Sequence, residues 1–131
     1  MYAAKTTGTY LNIRKEPSTS SAIVRTIDAK GSSCRVTPDT EHLDWFKIEY
    51  KGTNGYVASR YIEVTDGAPC TVNITSGVLN IRQTPSTRAT IIYTMNKDES
   101  MRYLGSQNGW KCVSCNKGTG WASGEYITIL A

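Results

Sequence analysis

Apolar and polar residues alternate along this chain in short runs, and the runs come in the same order twice. From Tyr10 to Arg14, Leu11 and Ile13 point to one side and Asn12 and Arg14 to the other, the period of two that a half-buried strand requires. Lys15 to Ser21 is polar, with Pro17 fixing a loop. Ile23 to Ile27 is rich in β-branched residues and predicts a second strand. Asp28-Ala29-Lys30-Gly31 makes a turn into a third strand, Ser33 to Val36. A loop from Thr37 to Asp44 then leads to Trp45–Tyr50, where Ile48 marks the core side and Trp45, Lys47 and Glu49 the other. Lys51-Gly52-Thr53-Asn54 turns the chain back into Gly55–Ala58. Ser59-Arg60-Tyr61 suits one 3₁₀ turn before a last strand, Ile62-Glu63-Val64. No stretch has a helical period.

The nine residues Leu11 to Thr19 return as Leu79 to Thr87, displaced by 68 residues and with seven positions identical. The echo continues through Trp45-Phe46-Lys47-Ile48 and Trp110-Lys111-Cys112-Val113. It closes with Gly55-Tyr56-Val57-Ala58-Ser59-Arg60-Tyr61-Ile62 against Gly120-Trp121-Ala122-Ser123-Gly124-Glu125-Tyr126-Ile127. A repeat of this period means two copies of one unit of about 60 residues, small but within the range that folds alone. About five short strands to a copy predict an all-β chain of two tandem small β-barrels. The expected division is a first barrel over 1–65, a linker over 66–71 and a second barrel over 72–131. Asp66-Gly67 and Pro69 give that linker the chemistry of a turn, not of a flexible tether.

Composition adds little that is specific. A net charge of +4 favours anionic surroundings, but the Lys and Arg residues are scattered, so nucleic acid is not expected as a partner. No apolar run approaches the roughly 18 residues of a membrane span. Met1 to Thr7 has no basic stretch followed by an apolar one, so no secretion signal is read there. Of the four cysteines, Cys34 aligns with Met101 and reads as a small core residue, and Cys70 falls in the linker. Cys112 and Cys115 align with Lys47 and Tyr50. A stabilising disulfide would recur in both copies and none does, so free thiols are expected.

With these elements in register twice, the chain resembles the bacterial SH3 (SH3b) family. The motifs are L-N-I-R-x-x-P-S, a tryptophan opening a strand, and the G-Y-V-A-S-R-Y-I ending. The likeness runs from Gly8 to Val64 and from Gly77 to Leu130. Copy one departs in having Asp44 before its tryptophan, where copy two has Gly109. Copy two departs in having Gly124-Glu125 before Tyr126. The resemblance implies SH3-like barrels that bind bacterial cell wall, commonly as the targeting half of a phage endolysin or an autolysin. On that reading the partners are the peptidoglycan of a Gram-positive wall and a covalently attached N-terminal hydrolase domain. Action is at the bacterial wall, with residence in the host cytoplasm until lysis if the protein is phage-encoded. No cofactor is expected.

Candidate ligand contacts follow from the residues. Trp45 and Trp110 fall on the polar side of their strand, where an indole can pack on sugar faces or on an extended peptide. The alternative is that each folds over the loop of Pro17 or Pro85 and closes the barrel. Tyr61 and Tyr126 lie beside the expected place of each tryptophan, while Ile62 and Ile127 fill the core; a hydroxyl tying turn to loop is their other role. Arg14 and Arg82 lead into the Pro loops and suit carboxylates or wall phosphates, or else a structural ion pair. Asn12 and Asn80 fit loop-fixing bonds better than ligand contact. Tyr10, aligned with Val78, extends the groove in copy one only. Two such grooves on one polymer raise avidity by roughly 10²–10⁴ where both engage.

Catalysis has no visible seat. His42, the single histidine, lies in a loop that differs between copies, and its pairing with Cys34 would need an exposed thiol. No carboxylate pair recurs. Cys112 and Cys115 have zinc half-site spacing, but i and i+3 on a strand face opposite ways, so no metal site is expected. Catalytic and metal residues are therefore both read as none. The competing reading is an adaptor that binds Pro-rich peptides like eukaryotic SH3 domains, against which stands Ala58 where those domains carry proline.

Overall fold

The computed structural model describes residues 1–130. It divides into two compact units, Met1–Asp66 and a second starting at Gly67. The first contains β1 (Tyr2–Thr6), β2 (Leu11–Arg14), β3 (Ile23–Ile27), β4 (Ser33–Pro38), β5 (Trp45–Tyr50), β6 (Thr53–Ala58), a 3₁₀ turn (Ser59–Tyr61) and β7 (Ile62–Val64). The second contains β8 (Ala68–Val72), β9 (Leu79–Arg82), β10 (Ile91–Met95), β11 (Ser100–Gln107), β12 (Trp110–Cys115), β13 (Gly118–Ser123), a 3₁₀ turn (Gly124–Tyr126) and β14 (Ile127–Ile129). Each unit is a seven-stranded antiparallel sheet with the same strand order, β3-β2-β6-β5-β4-β1-β7 and β10-β9-β13-β12-β11-β8-β14. The architecture is all-β, two tandem SH3-like barrels.

The period-two pattern positions the core. Leu11 and Ile13 are buried while Asn12 and Arg14 are half-exposed, and Leu79, Ile81, Asn80 and Arg82 repeat this. Across the ladder, Leu11 faces Ile27, Val36 faces Ile48 and Phe46 faces Val57, so buried apolar residues meet buried apolar residues. In the second unit Val72, Leu79, Ile81, Met95, Met101, Val113, Ala122 and Ile127 form one cluster.

Three expectations are corrected. Each unit has seven strands, because an unpredicted first strand, β1 or β8, inserts between the fourth strand and the last. The stretch 66–71 is therefore no linker: Ala68–Val72 is β8, paired with β11 and β14. Cys70 is accordingly part of the core of the second unit. It stands where the first unit has Ala4, opposite Met101 as Ala4 is opposite Cys34, so the larger pair in one copy replaces the smaller pair in the other. The connection between units is only Thr65 to Gly67. Finally, the counterpart in copy two of the Thr37–Asp44 loop, Leu104–Gly109, would by the repeat be a loop as well, and it is mostly strand. β11 runs on to Gln107, which pairs with Trp110 across a two-residue turn, Asn108-Gly109. Both turn residues have positive φ (51° and 83°), the conformation that Asn-Gly adopts in a tight hairpin.

All four cysteines are free thiols in the structure. Burial raises the pKa of Cys34 and of Cys70 from 9.0 to about 11, and of Cys112 to about 12.

Candidate functional site

A groove of about 340 Å³ opens on the first unit. One wall is the loop between β1 and β2 with the first residues of β2: Gly8, Thr9, Tyr10, Leu11 and Asn12. The groove is also lined by Trp45 at the start of β5 and by Ala58, Arg60 and Tyr61 at the end of β6 and in the 3₁₀ turn. Backbone bonds hold the walls in place. Thr7 N–H donates to the Tyr61 carbonyl at 2.8 Å, and Tyr10 N–H to the Asp28 carbonyl at 3.1 Å. Tyr10 takes a left-handed backbone conformation, φ 53°, rare for a bulky residue and costing on the order of 1 kcal/mol. Tyr10 is 72 % exposed and Tyr61 38 %.

The tryptophans are less open than the alternation implies. Trp45 is 8 % exposed, although Lys47 and Glu49 on the same face are solvated. The face is outward, but the β1–β2 loop, Thr19 and the 3₁₀ turn gather around the indole, which contributes to the groove as a wall and not as a free plate. Trp110 is half-buried.

The motif arginines are clamps. Arg14 Nη1 donates to the Ser21 carbonyl at 2.8 Å, and Arg82 Nη1 to the Ala89 carbonyl at 2.9 Å. Each bond spans a Pro loop whose backbone turns are repeated: Ser21 N–H to Ser18 O and Ala89 N–H to Ser86 O, both 3.1 Å. Arg14 still lines the groove, with part of its donor capacity used. Asn12 Oδ1 accepts a bond from the Thr26 hydroxyl at 3.2 Å across the β2–β3 ladder, a structural role.

The second unit builds the same corner from other residues. Tyr126 is 38 % exposed, like Tyr61. Val78 precedes β9 where Tyr10 precedes β2, and the loop it closes, residues 73–78, is two residues longer than residues 7–10. In the 3₁₀ turn Ser59-Arg60 becomes Gly124-Glu125, and Lys111 Nζ donates to the Gly124 carbonyl at 3.1 Å.

Arg60 is the groove residue that inspection of single motifs overlooks. Its guanidinium lies 4.9 Å from the centre of the Tyr61 ring. The signal for it lies in comparing copies: the position changes sign, to Glu125, inside an otherwise matching ending.

The cysteine–histidine pairing has no chemistry to work with. Cys34 is buried with its thiol held protonated, and His42 is exposed beside Asp39, Nδ1 to Oδ2 3.3 Å. Cys112 is buried and Cys115 packs half-buried against the core cluster of the second unit. Among the described residues no group of three or more His, Cys, Asp or Glu side chains could hold a metal ion.

Comparison with known proteins adds the family. The chain is 25% identical over 131 aligned residues, 89% of its length, to the Bacillus subtilis (strain 168) protein named "Putative N-acetylmuramoyl-L-alanine amidase YrvJ", and it spans 25% of that protein. Two solved structures from Trichomonas vaginalis are similar to it: NlpC2, at 13% identity and TM-score 0.42 over 98% of this chain and 48% of that one, and NlpC1, at 12% and 0.42 over 98% and 46%. The sequence model of the Bacterial SH3 domain matches residues 9–63 and 77–128. Domains of that family are cell-wall binding modules of peptidoglycan hydrolases. Since the two matches take in most of the chain and each falls within one of its two units, this protein belongs to the bacterial SH3 domain family, in two tandem copies.

Proposed function

We propose that this chain is a non-catalytic module that binds the peptidoglycan of Gram-positive walls and holds an attached hydrolase, of endolysin or autolysin type, on its substrate. The observation that carries the reading is the groove of the first unit, lined by exposed Tyr10 and Tyr61 together with Trp45. Aromatic faces flanked by polar groups suit an extended peptide or a sugar, whose apolar faces stack while amides and hydroxyls find partners. Family membership supports the wall as the polymer, and the amidase name of the Bacillus subtilis relative supports a hydrolase as the attached partner. The seven candidates are Tyr10, Arg14, Trp45 and Tyr61 in copy one and Arg82, Trp110 and Tyr126 in copy two. Copy one carries the stronger contact, since its aromatic side chains converge on one groove. Sedimentation of the full chain with purified Gram-positive sacculi tests the reading. Saturable co-sedimentation, lost in a Tyr10→Ala/Tyr61→Ala variant, is expected; failure to sediment with any such wall contradicts it.

A further inference from the structure

We infer that the groove of the first unit takes a carboxylate-bearing segment of its ligand, that Arg60 selects it, and that Glu125 excludes it from the second unit. The inference rests on the wall-binding reading and names the chemistry of the bound group.

Three observations meet at this residue. Arg60 lines the groove and is exposed, and its one interaction among the described residues is with the Tyr61 ring at 4.9 Å. Among the described residues no hydrogen bond or ion pair uses its five N–H donors. Arg14, the other cation of the groove, already gives Nη1 to the Ser21 carbonyl. A guanidinium stacked on an aromatic ring is held flat with its fork free, the geometry that receives a planar carboxylate through two parallel bonds. Contact with Tyr61 also limits the rotamers it must lose on binding.

The second unit supplies the contrast. The same turn places Glu125 next to Tyr126, and both are exposed. An anion arriving there meets a like charge, and the Tyr10 ring is replaced by Val78. The two corners therefore discriminate in opposite senses on the same 3₁₀ turn. Specificity built from an attractive group in one site and a repulsive one in the other needs no further machinery.

A carboxylate fits better than a phosphate polymer. A polyanion is gripped by a row of cations that displace counterions together. This groove offers one uncommitted guanidinium between aromatic side chains, which suits a single planar charge on an otherwise neutral peptide. The free carboxylates of wall peptides are that group.

The test uses the full chain and two probes. Sacculi stripped of phosphate polymers with hydrofluoric acid address the underlying reading: binding must persist, and its loss overturns that reading and this inference together. Muropeptides released by a muramidase, as free acids and with their carboxylates amidated, address Arg60 by calorimetric titration. The wild type is expected to bind the free acids about tenfold more tightly than the amides, the size of one charge-assisted contact in a half-open site. Arg60→Glu, which installs the residue the second unit already carries in this turn, is expected to abolish that preference, and Arg60→Lys to keep part of it. Equal affinity of the wild type for acid and amide, or a preference that survives Arg60→Glu, overturns the inference while persistent wall binding leaves the reading intact. The acid–amide comparison needs no variant, so a folding defect in Arg60→Glu cannot mask the answer.

Discussion

The two copies share a strand order, a clamped Pro loop and a terminal 3₁₀ turn, yet they differ at several places where side chains leave the common core. At the groove corner Tyr10 and Arg60 become Val78 and Glu125. On the outer face of the hairpin, Lys47, Glu49 and Asn54 are exposed in copy one, while Cys112, Ser114 and Thr119 are buried in copy two. At the hairpin end, Arg25 lies over Tyr50 at 5.2 Å and donates to the Thr53 hydroxyl at 3.0 Å. Its counterpart Tyr93 instead donates its hydroxyl to the Gly118 carbonyl at 2.9 Å and is a phenol held protonated, chiefly by burial. A cation–aromatic pair and a half-buried phenol thus close equivalent ends of two sheets. Duplication has kept the frame and left the surfaces free to serve different ends.

Variants that strike the shared frame should act on both copies alike, and they should act most strongly. A Cβ at Gly55 would lie 2.6 Å from the Arg14 carbonyl oxygen and 2.6 Å from Ile13 Cγ2; at Gly120 it would lie 2.9 Å from the Arg82 carbonyl oxygen and 2.6 Å from Ile81 Cγ2. Gly55→Ala and Gly120→Ala are each expected to destabilise their own copy by about 3 kcal/mol, measured by urea unfolding. A mild effect at either position would mean that the strands can separate there.

Alkaline pH should tell the copies apart. A thiol whose pKa is raised by folding stays protonated in the native state while the unfolded chain ionises, so its stabilisation is complete below pH 9 and falls as pH rises towards the folded value. Copy one has one such group, Cys34 at about 11; copy two has Cys70 at about 11 and Cys112 at about 12, with Tyr93 shifted in the same sense. Limited proteolysis between pH 8 and 11 should therefore open copy two first, as judged by fragment masses. Early cleavage in copy one would contradict this.

Smaller effects sharpen the comparison at the rim. Tyr61→Ala should weaken wall binding by about tenfold, the cost of an aromatic anchor, and Tyr126→Ala by less. Equal losses would show that both corners bind. Arg14→Ala and Arg82→Ala should each cost about 1 kcal/mol of stability through the lost clamp, with matching values in thermal unfolding.

Much of this was legible in the residues. Leu11-Asn12-Ile13-Arg14 and its copy fix a strand and its buried face, because alternation and burial are the same fact seen twice. The first strand of each copy was not legible. Tyr2 to Thr6 and Ala68 to Val72 are short, carry small residues or a proline, and become strands only because β4 and β7, or β11 and β14, offer them hydrogen bonds on both sides. Trp45 shows the limit of alternation: the period tells which way a side chain leaves the sheet, not what a distant loop lays over it. Asn108-Gly109 carries a hairpin signal in its residue types, which comparison with the longer Thr37–Asp44 loop of copy one obscures. Arg60 was invisible alone, since an exposed arginine in a turn is ordinarily just solvated, and it gains meaning only beside Glu125 and the ring beneath it.

The most direct test of the wall-binding groove is a titration of the isotope-labelled full chain with soluble peptidoglycan fragments, followed by amide chemical shifts. The account predicts that Gly8 to Asn12 and Ala58 to Tyr61 shift first and saturate together, with residues 76–80 and 123–126 lagging. Saturating shifts confined to the second copy, or absent from both corners while the protein still sediments with sacculi, would contradict it.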